Sequence, residues 1–191
     1  MTDTAKPPWA SKATDRYKRA VFGTGCFWCS EAIFKELKGV ISVVPGYTGG
    51  GAADPSYKQV CSGTTGHAEV SQVIYDPEQI GFDELLKVFW KVHDPTSLNR
   101  QGGDVGTQYR SAIYYSDDEQ RATAEKQKAS LNASGAWDRP IVTEITPLGD
   151  FYPAENYHHD YFANNPDQGY CQMVVRPKLE KFRKAFAEKL K

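Results

Sequence analysis

Past residue 16 the hydrophobic positions switch repeatedly between period two and period three to four, and each switch predicts an element. A β-branched and aromatic run at 17–23 stops at Gly23-Thr24-Gly25 and predicts a strand. Ala32, Ile33, Phe34 and Leu37 then fall at helical spacing, predicting a helix over 28–38 that Gly39 ends at the C′ position. A short strand at 40–44 runs into Pro45-Gly46-Tyr47-Thr48-Gly49-Gly50-Gly51, the start of a loop of more than 20 residues reaching His67. Loops this long inside a domain are usually functional. A strand at 69–75, with Val70, Val73 and Tyr75 apolar, ends at Asp76-Pro77. Phe82, Leu85, Leu86, Phe89 and Trp90 mark a helix over 82–92. A Gly-rich loop at 99–106 leads to a strand at 109–115, and Ser116-Asp117-Asp118-Glu119 reads as a capping box for a helix ending near Gly135. A strand at 141–145, an aromatic-dense stretch at 151–161, and an apolar run at 173–175 follow. Pro177 starts a last helix carrying Leu179, Phe182, Phe186 and Leu190 on one face.

Up to residue 115 the order is β-α-β-β-α-β. That is the α+β pattern of a split-βαβ, ferredoxin-like plait, with helices on one face of a mainly antiparallel sheet. The additional helix–strand pair and the C-terminal helix would pack around it. Residues 1–16, polar with two prolines, read as a flexible N-terminal arm, and 17–191 as a single catalytic domain.

Charge narrows the choice of partners. Twenty-three Lys and Arg nearly cancel 24 Asp and Glu, so a polyanion or an anionic membrane is not expected. No apolar run approaches the length of a membrane span, and the N-terminus has no apolar stretch of a secretory signal. Four cysteines are too few to staple a chain of 191 residues, so catalytic or redox thiols in a reducing, cytoplasmic compartment are the better reading.

One of these thiols stands out. Cys26, in Gly25-Cys26-Phe27-Trp28-Cys29, lies where the first strand hands over to the first helix. Unpaired N–H groups and the helix dipole favour an anion there, so its pKa is expected to fall. Two aromatics directly after it offer a corner for a small apolar substituent. Gly66-His67-Ala68-Glu69 places a carboxyl where the long loop enters a strand. Turned inward it would hold a proton and act as a general acid, although an exposed strand-end glutamate is the commoner case. Tyr57 and Tyr109 each follow a Gly/Asp-rich loop, and could offer a hydroxyl to a ligand oxygen or simply anchor the loop. Cys26 and Cys29 have the spacing of half a zinc site, but Cys61 and Cys171 are single and far apart, which leaves zinc a minority reading. A general thiol–disulfide oxidoreductase built on the Cys26–Cys29 pair is the stronger alternative, but it gives Glu69 and the two tyrosines no task.

Together these motifs, with Gly46-Tyr47-Thr48-Gly49-Gly50, Cys61-Ser62-Gly63-Thr64-Thr65, His93-Asp94-Pro95-Thr96 and Gly106-Thr107-Gln108-Tyr109-Arg110-Ser111, resemble the peptide methionine sulfoxide reductase A family over about residues 18–175. The resemblance implies a plait-like α+β fold, and reduction of the S epimer of methionine sulfoxide, free or in proteins, as a repair of oxidised proteins. It makes Cys26 the nucleophile, and Phe27 and Trp28 the seat of the substrate methyl. Glu69, Tyr57 and Tyr109 would surround the sulfoxide oxygen, with Asp104 nearby and His158 and Tyr161 as a weaker accessory segment. It implies no metal or organic cofactor, a thioredoxin-like dithiol as reductant, and a monomer. The chain departs from the family pattern at Cys29, where many members carry Gly. It departs again after Cys171, where an apolar run and a helix replace a glycine-rich tail. Cys29 is one helical turn from Cys26 and is expected to resolve its sulfenic acid first, with Cys171 second.

Overall fold

The computed structural model describes residues 16–191; all but Arg16 of the expected arm lies outside them. In chain order it contains β1 (Lys18–Thr24), α1 (Phe27–Phe34), β2 (Val40–Thr48), α2 (Tyr57–Cys61), β3 (Ala68–Tyr75) and α3 (Phe82–Val92). Then come β4 (Arg100–Gln101), β5 (Asp104–Val105), β6 (Ser111–Tyr115), α4 (Asp118–Ser134), β7 (Glu144–Pro147), β8 (Tyr152–Pro153), α5 (Tyr161–Asn164) and α6 (Arg176–Ala185). The main sheet has the order β7-β6-β1-β3-β2-β8. Its four inner strands pair antiparallel, and β7 joins β6 in parallel after the α4 crossover. This is the expected plait with one strand added at each edge.

Helices α1, α3 and α6 cover one face. Ala20 and Phe22 of β1 meet Ile33 and Phe34 of α1, Leu85, Leu86 and Phe89 of α3, and Leu179 and Phe182 of α6 in the principal core. Phe22 is its centre, with ring centroids 5.3 Å from Phe34 and 5.2 Å from Phe89. Truncating such a side chain costs roughly 3–5 kcal/mol. Val21, Val70, Ala112 and Tyr114 form a smaller cluster on the other face, under Leu148 and Phe151. So Val70 points away from Val73 and Tyr75, and β3 is not the one-sided strand its alternation predicts. It lies between β1 and β2, and all eight of its residues are buried. On the helix face Glu69 and Ser71 run under α1, where Ser71 and Ser30 share a hydrogen bond of 2.7 Å.

Several boundaries move for physical reasons. α1 stops at Phe34 rather than 38, because the chain turns to bury Leu37 beside Leu190. β2 continues through Pro45 to Thr48, with the Pro45 carbonyl accepting the Ala154 N–H at 2.9 Å. The long loop contains α2, started by a capping box of Ser56 and Gln59, and the 99–106 loop is the β4–β5 hairpin. The strand expected from 109 begins at Ser111 after a 3-10 turn, Thr107–Tyr109, and the strand expected at 141–145 pairs only from Glu144. Asp117, not Ser116, caps α4, accepting the Gln120 N–H at 2.8 Å.

The C-terminal helix differs most from expectation. Helical backbone enters at 169 and passes through a π turn, Cys171–Val175, before α6. The wider turn accommodates Pro177, which has no N–H for an ordinary helical bond. α6 ends at Ala185, so Phe186 and Leu190 lie beyond it.

Candidate active site

Everything converges on the β1–α1 turn. Gly25 has φ +96°, and a Cβ there would sit 2.7 Å from the Gln101 side chain, so the turn admits little but glycine. Cys26 follows as the cap of α1, only 8% exposed. Its sulfur accepts hydrogen bonds from the Trp28 N–H and the Tyr170 hydroxyl, so the helix start does point at it as expected. The expected fall in pKa is not what results. Burial pushes the Cys26 thiol well up, and the neighbouring Cys29 sulfur adds to the rise; the two donors oppose this without reversing it. Cys29 moves the other way, lowered chiefly by its hydrogen bond with Cys26. Desolvation at this strand end outweighs the helix terminus.

Glu69 is the second residue of β3 and is fully buried, not the exposed strand-end side chain of the commoner case. Its Oε2 accepts the Phe27 backbone N–H at 3.2 Å. Burial holds its carboxyl well above the ordinary range, and the proximity of Cys26 raises it further. A buried carboxyl whose proton is held more tightly than usual therefore stands beside a buried thiol.

The aromatic corner draws on distant parts of the chain. Trp28 stacks on Tyr161, with centroids 3.7 Å apart and planes 6° from parallel. Its indole N–H donates to His158 Nδ1 at 3.0 Å. Phe27 packs against Tyr47, Tyr57 and His158, at 5.7, 6.4 and 5.0 Å between centroids. His158 is fully buried and its pKa is pushed down to about 4 by burial, so at neutral pH it is an uncharged acceptor for Trp28. Glu31, also buried, accepts the Asp160 N–H at 3.0 Å and so ties this segment to α1.

Tyr57 opens α2 and Tyr109 ends the 3-10 turn before β6. Both phenols are raised by burial first and by the charge of Glu69 second, so both stand within electrostatic reach of that carboxyl. Asp104, at the β4–β5 hairpin, accepts the Tyr170 hydroxyl at 2.5 Å. Cys171 is fully buried in one cluster with Cys26, Cys29 and Val175. Cys61 ends α2 on the surface, and its sulfur is within hydrogen-bond reach of the Tyr57 hydroxyl. All four cysteines are free thiols.

The structure thus brings together every residue singled out from the sequence: Cys26, Phe27, Trp28, Cys29, Tyr57, Glu69, Asp104, Tyr109, His158, Tyr161 and Cys171. Three more belong with them. Tyr170 touches Cys26 and Asp104 and meets Trp28 edge-on at 5.7 Å. Tyr47 backs Phe27. Glu155 accepts the Tyr47 hydroxyl at 3.1 Å and the Tyr57 N–H at 3.2 Å, pinning the start of α2. The adjacency of Tyr170 to Cys171 was a usable signal, and Glu155 opens the segment that carries His158 and Tyr161; its partners Tyr47 and Tyr57 lie about 100 residues away.

Comparison with known proteins decides what this arrangement belongs to. The family model described as peptide methionine sulfoxide reductase matches residues 18–190. The chain belongs to the peptide methionine sulfoxide reductase family. It is 56% identical over 171 residues to the peptide methionine sulfoxide reductase MsrA of Natronomonas pharaonis, covering 90% of this chain and 96% of that protein. Among solved structures it resembles Mxr1 from Saccharomyces cerevisiae in reduced form, with TM-score 0.77 and 37% identity over 82% of this chain and 90% of that one. It also resembles Mxr1 in complex with Trx2, with TM-score 0.55 and 25% identity over 84% and 92% of the two chains. As a peptide methionine sulfoxide reductase it is an oxidoreductase acting on methionine sulfoxide. Among the described residues no helix is long and apolar enough to cross a membrane.

Proposed function

We propose that this reductase takes the S epimer of methionine sulfoxide, free or in proteins, and turns it over at Cys26. The reading rests above all on the Glu69 carboxyl, protonated by burial and held at 3.2 Å by the N–H of the residue next to Cys26. The Cys26 sulfur attacks the sulfoxide sulfur while Glu69 gives its proton to the oxygen, which Tyr57 and Tyr109 steady by hydrogen bonds. Oxygen passes to Cys26 as a sulfenic acid, methionine leaves, and the thiol's own proton restores Glu69. The substrate methyl rests on Phe27 and Trp28, and Asp104, His158 and Tyr161 hold that corner in place. A chiral sulfur meets both demands, methyl on the aromatics and oxygen at Glu69, in only one hand.

Condensation of the sulfenic acid with a neighbouring thiol then releases water and leaves a disulfide. Cys29 is the first partner, already hydrogen-bonded to Cys26, and Cys171 is the second. An external dithiol reduces the disulfide; a thioredoxin fits, since the yeast relative Mxr1 forms a complex with Trx2. Free thiols of this kind suit the cytoplasm. The test is Cys26→Ser, assayed with both epimers of a methionine sulfoxide peptide in a single turnover. Wild type should reduce the S epimer alone and the variant neither. Turnover retained in Cys26→Ser would overturn the proposal.

A further inference from the structure

On the helical side of the molecule, apart from every residue of the site above, α3, α4, α6 and the chain after α4 enclose a cavity of about 570 Å³. Lys87, Trp90, Lys91, Leu131, Trp137 and Lys181 line it. A second cavity of about 290 Å³ shares Lys91, Trp137 and Lys181 and adds Lys178, so Trp137 stands between two lobes of one groove. Lys87 and Lys91 are one helical turn apart on α3, and Lys178 and Lys181 one turn apart on α6, so each pair shares a helix face; Lys87, Lys91 and Lys181 are exposed at the rim and Lys178 is half-buried.

The balance of charge in the groove is uneven. Lys87 is paired with Glu84 at 2.5 Å. Lys91, Lys178 and Lys181 have no ion-pair partner among the described residues. Among the described residues Asp94 is the one carboxylate lining the two lobes, and it is already engaged by Arg139 at 3.4 Å and the Thr96 hydroxyl at 2.6 Å. The Trp90 N–H is likewise spent on Gln127 at 3.1 Å, so its indole offers the groove only carbon surface. A concavity of this size is in the range of small-molecule sites, where apolar walls carry a few convergent polar groups. Here those groups are ammonium ions lacking counter-charge.

We propose that this groove binds a planar aromatic anion of about nucleotide size, with its ring against Trp137 and its charge on Lys91, Lys178 and Lys181. The probes are 8-anilinonaphthalene-1-sulfonate and its uncharged relative N-phenyl-1-naphthylamine, titrated into the full reduced chain at low salt. The sulfonate should bind one to one and quench indole fluorescence. Its affinity should fall about tenfold or more in Lys91→Ala/Lys181→Ala and in Trp137→Ala, and should weaken with salt. The neutral probe should bind more weakly and ignore the lysine changes. Lys91→Ala/Lys181→Ala, at exposed positions, should melt as wild type, whereas Trp137→Ala, whose ring packs against the principal core, should melt lower yet still fold; both should keep the reductase activity, because none of the three lines the site. Equal binding of the two probes, or unchanged sulfonate affinity in both variants, would overturn the proposal. So would sulfonate binding abolished by alkylating Cys26, which would assign the probe to the catalytic site. Binding is read without turnover, so its outcome is separate from that of the catalytic reading.

Discussion

The Phe27 N–H and Glu69 Oε2 are 3.2 Å apart, so the carboxyl hangs from the first turn of the helix that Cys26 caps. The proposed nucleophile and acid are thereby fixed by one backbone segment. Glu69→Gln keeps an acceptor for that N–H but has no acidic proton, and should slow single-turnover reduction by about two to four decades. A rate near that of wild type would reduce Glu69 to a structural part.

The same substitution should stabilise the fold. The folded-state pKa of Glu69 is raised, so above its ordinary unfolded value near 4.5 the unfolded chain releases a proton that the folded one retains. Stability from this group therefore falls as pH rises from that value toward the folded pKa. The melting temperature of Glu69→Gln should exceed that of wild type at pH 7, and the gap should close below about pH 4.5. A constant gap across that range would show that the carboxyl is ionised in the folded protein.

Tyr57→Phe and Tyr109→Phe should each slow the reductive step by roughly tenfold, about the worth of one hydrogen bond to a developing charge. The double variant should lose more than either, since both hydroxyls are proposed to steady the same oxygen. Stopped-flow single turnovers measure this directly, and additive or absent effects would separate the two tyrosines from a shared oxygen.

Resolution is tested by comparing recycling with single turnover in Cys29→Ser and Cys171→Ser. Cys29→Ser should cut thioredoxin-dependent recycling at least tenfold while the first turnover survives, and Cys171→Ser should cost less. A Cys26–Cys171 disulfide mapped by mass spectrometry in wild type, with recycling lost only in Cys171→Ser, would reverse the order. Cys171 is held in a packed π turn, its N–H bonded to Gln168 Oε1 at 3.0 Å.

His93 and His158 are both held near pKa 4 by burial. Between about pH 6.5 and 4 the unfolded chain takes up protons that these folded histidines refuse, so stability declines as pH falls through that window. Each contributes on the order of 3 kcal/mol at the low end. Urea midpoints of wild type relative to His158→Gln should drop across the window and stay level above it; a flat difference would mean that His158 titrates normally.

Much of this was legible in the sequence because the relevant signals are local. The strand–glycine–cysteine–helix turn at 23–28 lies within a few residues, and so does the apolar spacing of 82–92; both stand as read. Glu69 was identified but its burial was not, because that depends on β1 and β2 flanking β3. The pKa of Cys26 was misjudged for a related reason: the helix start is visible in the sequence, whereas the ring of Tyr170, Trp28 and the other cysteines that dries it is assembled from far away. Pro45 and Gly46 look like a turn by themselves and become strand only because β3 and β8 pair with them. Tyr170 and Glu155 were missed because their partners are tertiary.

The sandwich around Trp28 also bears on how the protein is made. Its indole is hydrogen-bonded to a residue 130 positions further on, and its ring is covered by Tyr161 and Tyr170. A chain emerging from a ribosome presents the Cys26 turn early and the walls that enclose it only near the end. Until about residue 170 has been synthesised, Cys26 lacks the aromatic surroundings that Tyr161 and Tyr170 complete. The pocket around Cys26 is therefore closed only as the last helix is made.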